Sequence, residues 1–154
     1  MVETALLMAA PLAKRMRPLA ATRPKPLVKV SGKQLMDHAL DRLEAGGIRK
    51  VVVNVHYLAA TVEAHLRSRK GGMEFVISDE RAKLLEAGGG LVHAAPLLGD
   101  APFLCANSDN LWIDGPVETL AMMQGRGDPA RMYSLLLLVP LARAKCHSGP
   151  GDFH

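Results

Sequence analysis

The sequence predicts an α/β fold, a three-layer sandwich in which a mostly parallel sheet carries helices on both faces. Three observations predict it. Short apolar or β-branched runs at 4–9, 51–55, 73–77, 102–106 and 133–139 alternate with stretches whose apolar residues recur at three and four. Glycine pairs close the helical stretches at Gly46-Gly47 and Gly71-Gly72. The apolar runs are continuous, as in strands buried on both faces between crossover helices.

Taken in order, residues 4–9 read as a buried first strand. Residues 10–27 form a loop that delivers Lys14, Arg15, Arg17, Arg23 and Lys25 with no acid among them. Pro24 and Pro26 flank Lys25 and hold the backbone extended on both sides of it. Residues 28–30 make a short strand or extended turn, closed by Ser31-Gly32. Leu35, Met36, Ala39, Leu40 and Leu43 define a helix face, and Val51, Val52, Val53 and Val55 a second strand. Leu58, Val62 and Leu66 mark the next helix, and residues 73–77 a third strand. A short helix is expected over Gly90 to Leu98, with Leu91, Ala95 and Leu98 inward. Residues 102–106 give a fourth strand, with Asn107-Ser108-Asp109 at its carboxyl end. Residues 115–124 read as helical, with Pro116 near the start, where it is tolerated. Residues 133–139 predict a fifth strand, because the run from Leu135 to Leu141 suits burial. From Ala142 the chain is Gly/Pro/polar, without a clear element.

At 154 residues the chain fits one domain with a real core. It is 49% hydrophobic and 22% charged, which reads as soluble and globular. The net charge of +4 favours an anionic ligand but is too small to argue for duplex nucleic acid. With three Phe, two Tyr and one Trp, base-stacking platforms are scarce. Two cysteines make no disulfide framework, so a reducing, cytoplasmic setting is expected, with Cys105 buried and inert. The apolar start carries Glu3 and no basic leader, and no run is long enough to span a bilayer. No Ser/His/Asp set, zinc spacing or P-loop is present. Cations stand where a nicotinamide-binding protein needs a G-x-G-x-x-G turn. His56 is expected to be packed or hydrogen-bonded, and His65 exposed.

Three polar stretches fall at strand ends: the basic loop after the first, Asp79-Glu80 after the third and Asn107–Asp109 after the fourth. Ligands of open parallel sheets lie outside the carboxyl ends of the strands. A fixed loop of cations at such an end suits a polyphosphate. Asp109 is the metal candidate, since one carboxylate can hold Mg²⁺ against a triphosphate without a full protein cage. Asn107 precedes it by two, so in a strand both would point to one face. Gly88-Gly89-Gly90 opens a helix after Glu86, and glycine backbones allow a flat ring to approach.

Together the motifs R-M-R-P-L at 15–19, T-R-P-K-P-L at 22–27, N-V-H-Y-L at 54–58, S-D-E at 78–80, G-G-G at 88–90, N-S-D at 107–109 and G-P-G-D-F at 149–153 resemble the sugar-1-phosphate nucleotidyltransferases. Within that superfamily the likeness is to the N-acetylmuramate-1-phosphate uridylyltransferases of bacterial cell-wall recycling. The resemblance implies a Rossmann-like three-layer sandwich over residues 1–154, with the nucleotide-binding part complete and the sugar-binding part incomplete. It implies transfer of a nucleotidyl group, UMP from UTP, to a sugar 1-phosphate with Mg²⁺, releasing pyrophosphate. No nucleic acid or membrane partner is expected, and the chain is expected to be a monomer or weak homodimer. By resemblance Lys25 and Arg15 are catalytic. Ala9, Ala10, Pro11, Leu12, Ala13, Asp79, Gly88 and Gly89 surround the nucleotide. Asn107, Glu86, Gly149 and Asp152 contact the sugar phosphate, and Asp109 holds the metal. Asp79 and Glu80 have loop capping as their plainer role.

Two departures stand out. The family's loop reads A-A-G-x-G-x-R-M, whereas this chain has Pro11 and Ala13 at the glycine positions. Pro11 offers no N–H, and losing a pre-aimed donor to developing charge costs about 3–4 kcal/mol. A non-glycine residue in left-handed geometry costs about 1–2 kcal/mol. Weakened NTP binding and slower turnover are therefore expected. Family members also carry a further segment after G-D-F. This leaves a non-catalytic nucleotide- or sugar-nucleotide-binding domain as the alternative, beside a related thymidylyl-, guanylyl- or mannose-1-phosphate-type transferase.

Overall fold

The computed structural model describes residues 1–10, 18, 22–143 and 149–151. Its strands are β1 (Thr4–Met8), β2 (Lys29–Val30), β3 (Lys33–Gln34), β4 (Lys50–Val55), β5 (Glu74–Asp79) and β6 (Leu104–Asn107). Its α-helices are α1 (Leu35–Ala45), α2 (Ala59–Ser68), α3 (Glu86–Leu98) and α4 (Thr119–Arg126). Four strands pair in the order β5-β4-β1-β6, every pairing parallel. The chain winds from β1 outward to β5, then returns to the other side of β1, which makes the carboxyl end of β1 a topological switch point. β2 and β3 form a separate antiparallel hairpin, turned by Ser31 and Gly32, both at positive φ.

The alternation of side chains along each strand sorts the core into two layers. Ala5, Leu7, Val51, Val53 and Val55 face α1 and α2, packing with Met36, Ala39, Leu40, Leu43, Val62 and Leu66. Leu6, Met8 and Val52 face the other way, against Ala94 and Leu98 of α3. The valine run of β4 is buried on both sides, which explains why it is continuous. α4 seals the amino-terminal end of the sheet. Leu120 joins the first core layer there, and Gln124 bonds both Val2 N–H (3.1 Å) and Gly46 O (2.8 Å).

The expected elements form, with five corrections. The helix read over 115–124 runs from Thr119 to Arg126, so Pro116 lies before it rather than in its first turn. The glycine helix starts at Glu86 rather than Gly90, and its inward residues are Gly90, Ala94 and Leu98. Leu91 and Ala95 are exposed, because the register is set one position earlier, by the glycine that lets α3 approach the sheet. Residues 133–139 form no strand. The sheet ends at β6, the run makes no ladder bonds, and Leu135 to Val139 are exposed. An unbroken apolar run carries no period of its own, so only a neighbour could make it a strand. Cys105 is exposed, since it lies on the edge strand β6. His65 is not free on the surface: its Nε2 lies 2.9 Å from Asp37 Oδ1. It joins a network in which Arg69 donates to Asp37 (3.1 Å), to Asp41 and to Glu44 (3.5 Å), tying α2 to α1.

Candidate active site

Parallel pairing aligns Asn107, Met8, Asn54 and Ser78 in one row across the carboxyl ends of the four strands. The loops that leave this row hold the candidate residues. After β1 come Ala9 and Ala10, both buried. Their N–H groups donate to the Asn54 Oδ1, at 2.7 and 3.3 Å, so neither amide is free for a phosphate. The carbonyl of Met8 accepts from Ser108 N–H at 3.1 Å, which pins the turn after β6 beside the exit from β1.

That turn carries Asp109, and its carboxylate is ion-paired with the Lys25 ammonium. Lys25 opens a 3-10 turn, Lys25–Leu27, with Pro24 extended before it (φ −61°, ψ 144°) and Pro26 buried within it. The backbone is therefore extended only before the lysine; after it the chain turns through Pro26, where extension on both sides was expected, because proline's fixed φ also suits the first turn of a helix. Both side chains are about a quarter exposed, so the pair is open to a ligand. Residues 84 apart in sequence meet here, at the switch point, in a partly solvated pair that adds at most about 1 kcal/mol to stability.

On the other side of the row, Asp79 ends β5. Its carboxylate accepts from Arg81 N–H (2.9 Å) and the Arg81 guanidinium (2.8 Å), the loop-capping geometry. Gly88 and Gly89 lie in the first turn of α3. A Cβ on Gly89 would sit 2.9 Å from the Leu85 Cβ, whereas one on Gly88 would meet nothing within 4 Å. Packing within the described residues therefore does not explain Gly88. Glu86 is exposed and held at φ 58°, a left-handed conformation that costs a non-glycine residue about 1–2 kcal/mol. Such strain concentrates at functional loops. Asn107 is the exposed last residue of β6. Gly149 is exposed in a short stretch that packs through Gly151 beside Leu141. Arg15, Pro11, Leu12, Ala13 and Asp152 lie outside the described residues.

Sequence reasoning missed Asn54. Its Nδ2 donates to Glu80 Oε1 at 2.9 Å, and both residues are buried. The signal was available: an asparagine interrupting a run of valines at a strand's carboxyl end. His56 is hydrogen-bonded, as expected, with Nδ1 2.7 Å from the Glu80 carbonyl oxygen.

A family model described as nucleotidyl transferase matches residues 4–139. The chain belongs to the nucleotidyl transferase family. It is 46% identical over 151 residues to the N-acetylmuramate alpha-1-phosphate uridylyltransferase of Caulobacter vibrioides, and 42% over 108 residues to that of Neisseria meningitidis. The matches cover 96% and 70% of this chain, but 62% and 47% of those relatives' own length. Among solved structures, a UDP-glucose pyrophosphorylase from Acinetobacter baumannii superposes with a TM-score of 0.73 at 19% identity, over 82% of this chain and 52% of that one. That likeness speaks for the fold, and it agrees with the Rossmann-like sandwich expected from the sequence.

Proposed function

We propose that this chain transfers UMP from UTP to N-acetylmuramate 1-phosphate, releasing pyrophosphate. The observation that carries the reading is the meeting of Lys25 and Asp109 at the switch point of the sheet. The relatives' names supply the base and the sugar. A role in cytoplasmic recycling of cell-wall sugars follows from that substrate. Among the described residues no helix is long and apolar enough to cross a membrane.

The chemistry asks for charge control. A sugar-phosphate oxygen must attack the α-phosphorus in line with departing pyrophosphate, and both reactants are anions. Cations fixed beforehand lower that barrier. Lys25 stands on a proline-braced turn beside the exit from β1, placed to meet charge growing on the α-phosphate. Arg15, in the same basic loop, is assigned to the β- and γ-phosphates. The face of α3 at Gly88 is open, which suits a base, and Glu86 and Asn107 are assigned to the sugar phosphate.

Asp109 suits Mg²⁺ of a particular kind. Among the described residues no three His, Cys, Asp or Glu converge into a cage. A single carboxylate fits an ion that takes its other ligands from substrate phosphates and water. When bound, Mg²⁺ supplies charge neutralisation and alignment of the triphosphate.

The test is pyrophosphate release by the chain across four NTPs with N-acetylmuramate 1-phosphate, glucose 1-phosphate and mannose 1-phosphate, with and without a chelator. Release confined to UTP with the first sugar, and abolished by chelation, is expected. Nucleotide binding with no release would favour a non-catalytic binding domain, which Pro11 and Ala13 at the loop's glycine positions already favour.

A further inference from the structure

Asn54 is 1% exposed and Glu80 2% exposed, and among the described residues no cation pairs with Glu80. Burying an amide and a carboxylate is costly unless each is fully bonded. Here they are. The Asn54 Oδ1 takes the N–H groups of Ala9 and Ala10, and its Nδ2 donates to Glu80 Oε1. The Glu80 Oε2 accepts from Leu85 N–H (3.3 Å), the residue just before α3. Glu80 N–H donates to Val55 O (2.9 Å), and Glu80 O accepts from Lys83 N–H (3.1 Å). A Cβ on Gly90 would lie 2.8 Å from Glu80 Oε1 and 2.9 Å from Asn54 Nδ2, so α3 closes directly over the pair.

Holding β4 in the sheet does not need this arrangement, because Val52, Val53 and Val55 are buried around it. What the pair fixes is where the chain leaves β1 and where it enters α3. These are the two backbone segments that the nucleotidyl-transfer reading, on which the inference rests, places around the triphosphate and the base. We propose that Asn54 and Glu80 are positioning residues that lock those segments into one unit, so that the two halves of the nucleotide site are set relative to each other before UTP arrives.

The test is UTP titration calorimetry on the full chain, with the urea midpoint of each variant measured alongside. Asn54→Asp keeps the acceptor for Ala9 and Ala10 but turns a second carboxylate toward Glu80. It is expected to weaken UTP binding about ten- to a hundred-fold, the equivalent of one buried hydrogen bond to a charged group. Asn54→Asp combined with Glu80→Gln reverses donor and acceptor and rebuilds the bond. It is expected to restore wild-type affinity. Should Asn54→Asp not fold, Glu80→Gln alone carries the same expected loss. Wild-type affinity in the folded single variants, or a double variant that regains its urea midpoint without its affinity, overturns the proposal. A wild-type chain that binds no NTP overturns the nucleotide reading, and the pair's role falls with it. A wild-type chain that binds UTP beside an equally tight Asn54→Asp sinks the pair's role alone.

Discussion

Gly90→Ala and Gly88→Ala lie two residues apart in one helical turn and are expected to move stability in opposite directions. At Gly90 the added Cβ would come within 3.0 Å of both Glu80 Oε1 and Asn54 Nδ2, which are buried and bonded to each other. Neither atom is the end of a free side chain, so α3 must lift or the bond must part. Overpacking costs about 1–3 kcal/mol, and alanine's helix preference returns about 1 kcal/mol. If the Asn54–Glu80 bond also breaks, about 1–3 kcal/mol more is lost. The net expectation is up to about 2 kcal/mol of destabilisation if the bond holds and about 1–5 kcal/mol if it parts. At Gly88 the Cβ meets nothing, so only the helix preference operates, tempered by the first-turn position, for a gain of up to about 1 kcal/mol. Urea unfolding of the three proteins, compared at a common m-value, reads both changes. Gly90→Ala as stable as the wild type, or Gly88→Ala as damaged as Gly90→Ala, would refute the account of how α3 meets the sheet. On the proposed function, Gly88→Ala should also bind UTP more weakly while being more stable.

Lys25→Met is expected to cost about 10²–10³-fold in turnover, the loss seen when one pre-aimed cation or donor is removed. Its effect on stability should stay below about 1 kcal/mol because the Lys25–Asp109 pair is partly solvated; a large drop in the urea midpoint would instead mark it as structural. Asp37→Ala should destabilise by about 1–3 kcal/mol, since it strips Arg69 and His65 of one partner but leaves Arg69 its bonds to Asp41 and Glu44. An unchanged midpoint would show that the α1–α2 network is only surface decoration. Asp114 has its carboxyl held below the ordinary range, first by the Thr119 hydroxyl, then by Thr119 N–H at 3.0 Å, against partial desolvation and with help from Arg42. A depressed folded value means its stabilising contribution is complete above about pH 4 and lost as pH falls through that lower value. Asp114→Asn should therefore flatten the acid limb of a stability-against-pH curve, and identical limbs would contradict the shift.

The parallel sheet and its helices were legible because β-branched runs and helical spacing each reported burial directly. The β4 valines and the α1 face at Leu35, Met36, Ala39, Leu40 and Leu43 are all buried as read. Lys25 and Asp109 were legible too, since prolines and a strand end announce fixed geometry. Asn54 showed only as a polar residue interrupting a valine run; its role lies in partners brought from two other segments, the exit from β1 and Glu80. The run at 135–139 misled because hydrophobicity says what a segment would prefer, and the described fold gives it no neighbour. The inward face of α3 misled because a glycine, which no apolar pattern counts, set the helix register.

The contact between Lys25 and Asp109 has a consequence for the order of events. An aspartate already shielded by a tethered ammonium has little to offer a bare dication in solution. On the proposed chemistry, a triphosphate's negative charge would draw the Lys25 ammonium aside and free the Asp109 carboxylate, the residue that would hold Mg²⁺. The two groups would then behave as a latch that nucleotide opens, and the sugar phosphate would follow into a site already loaded.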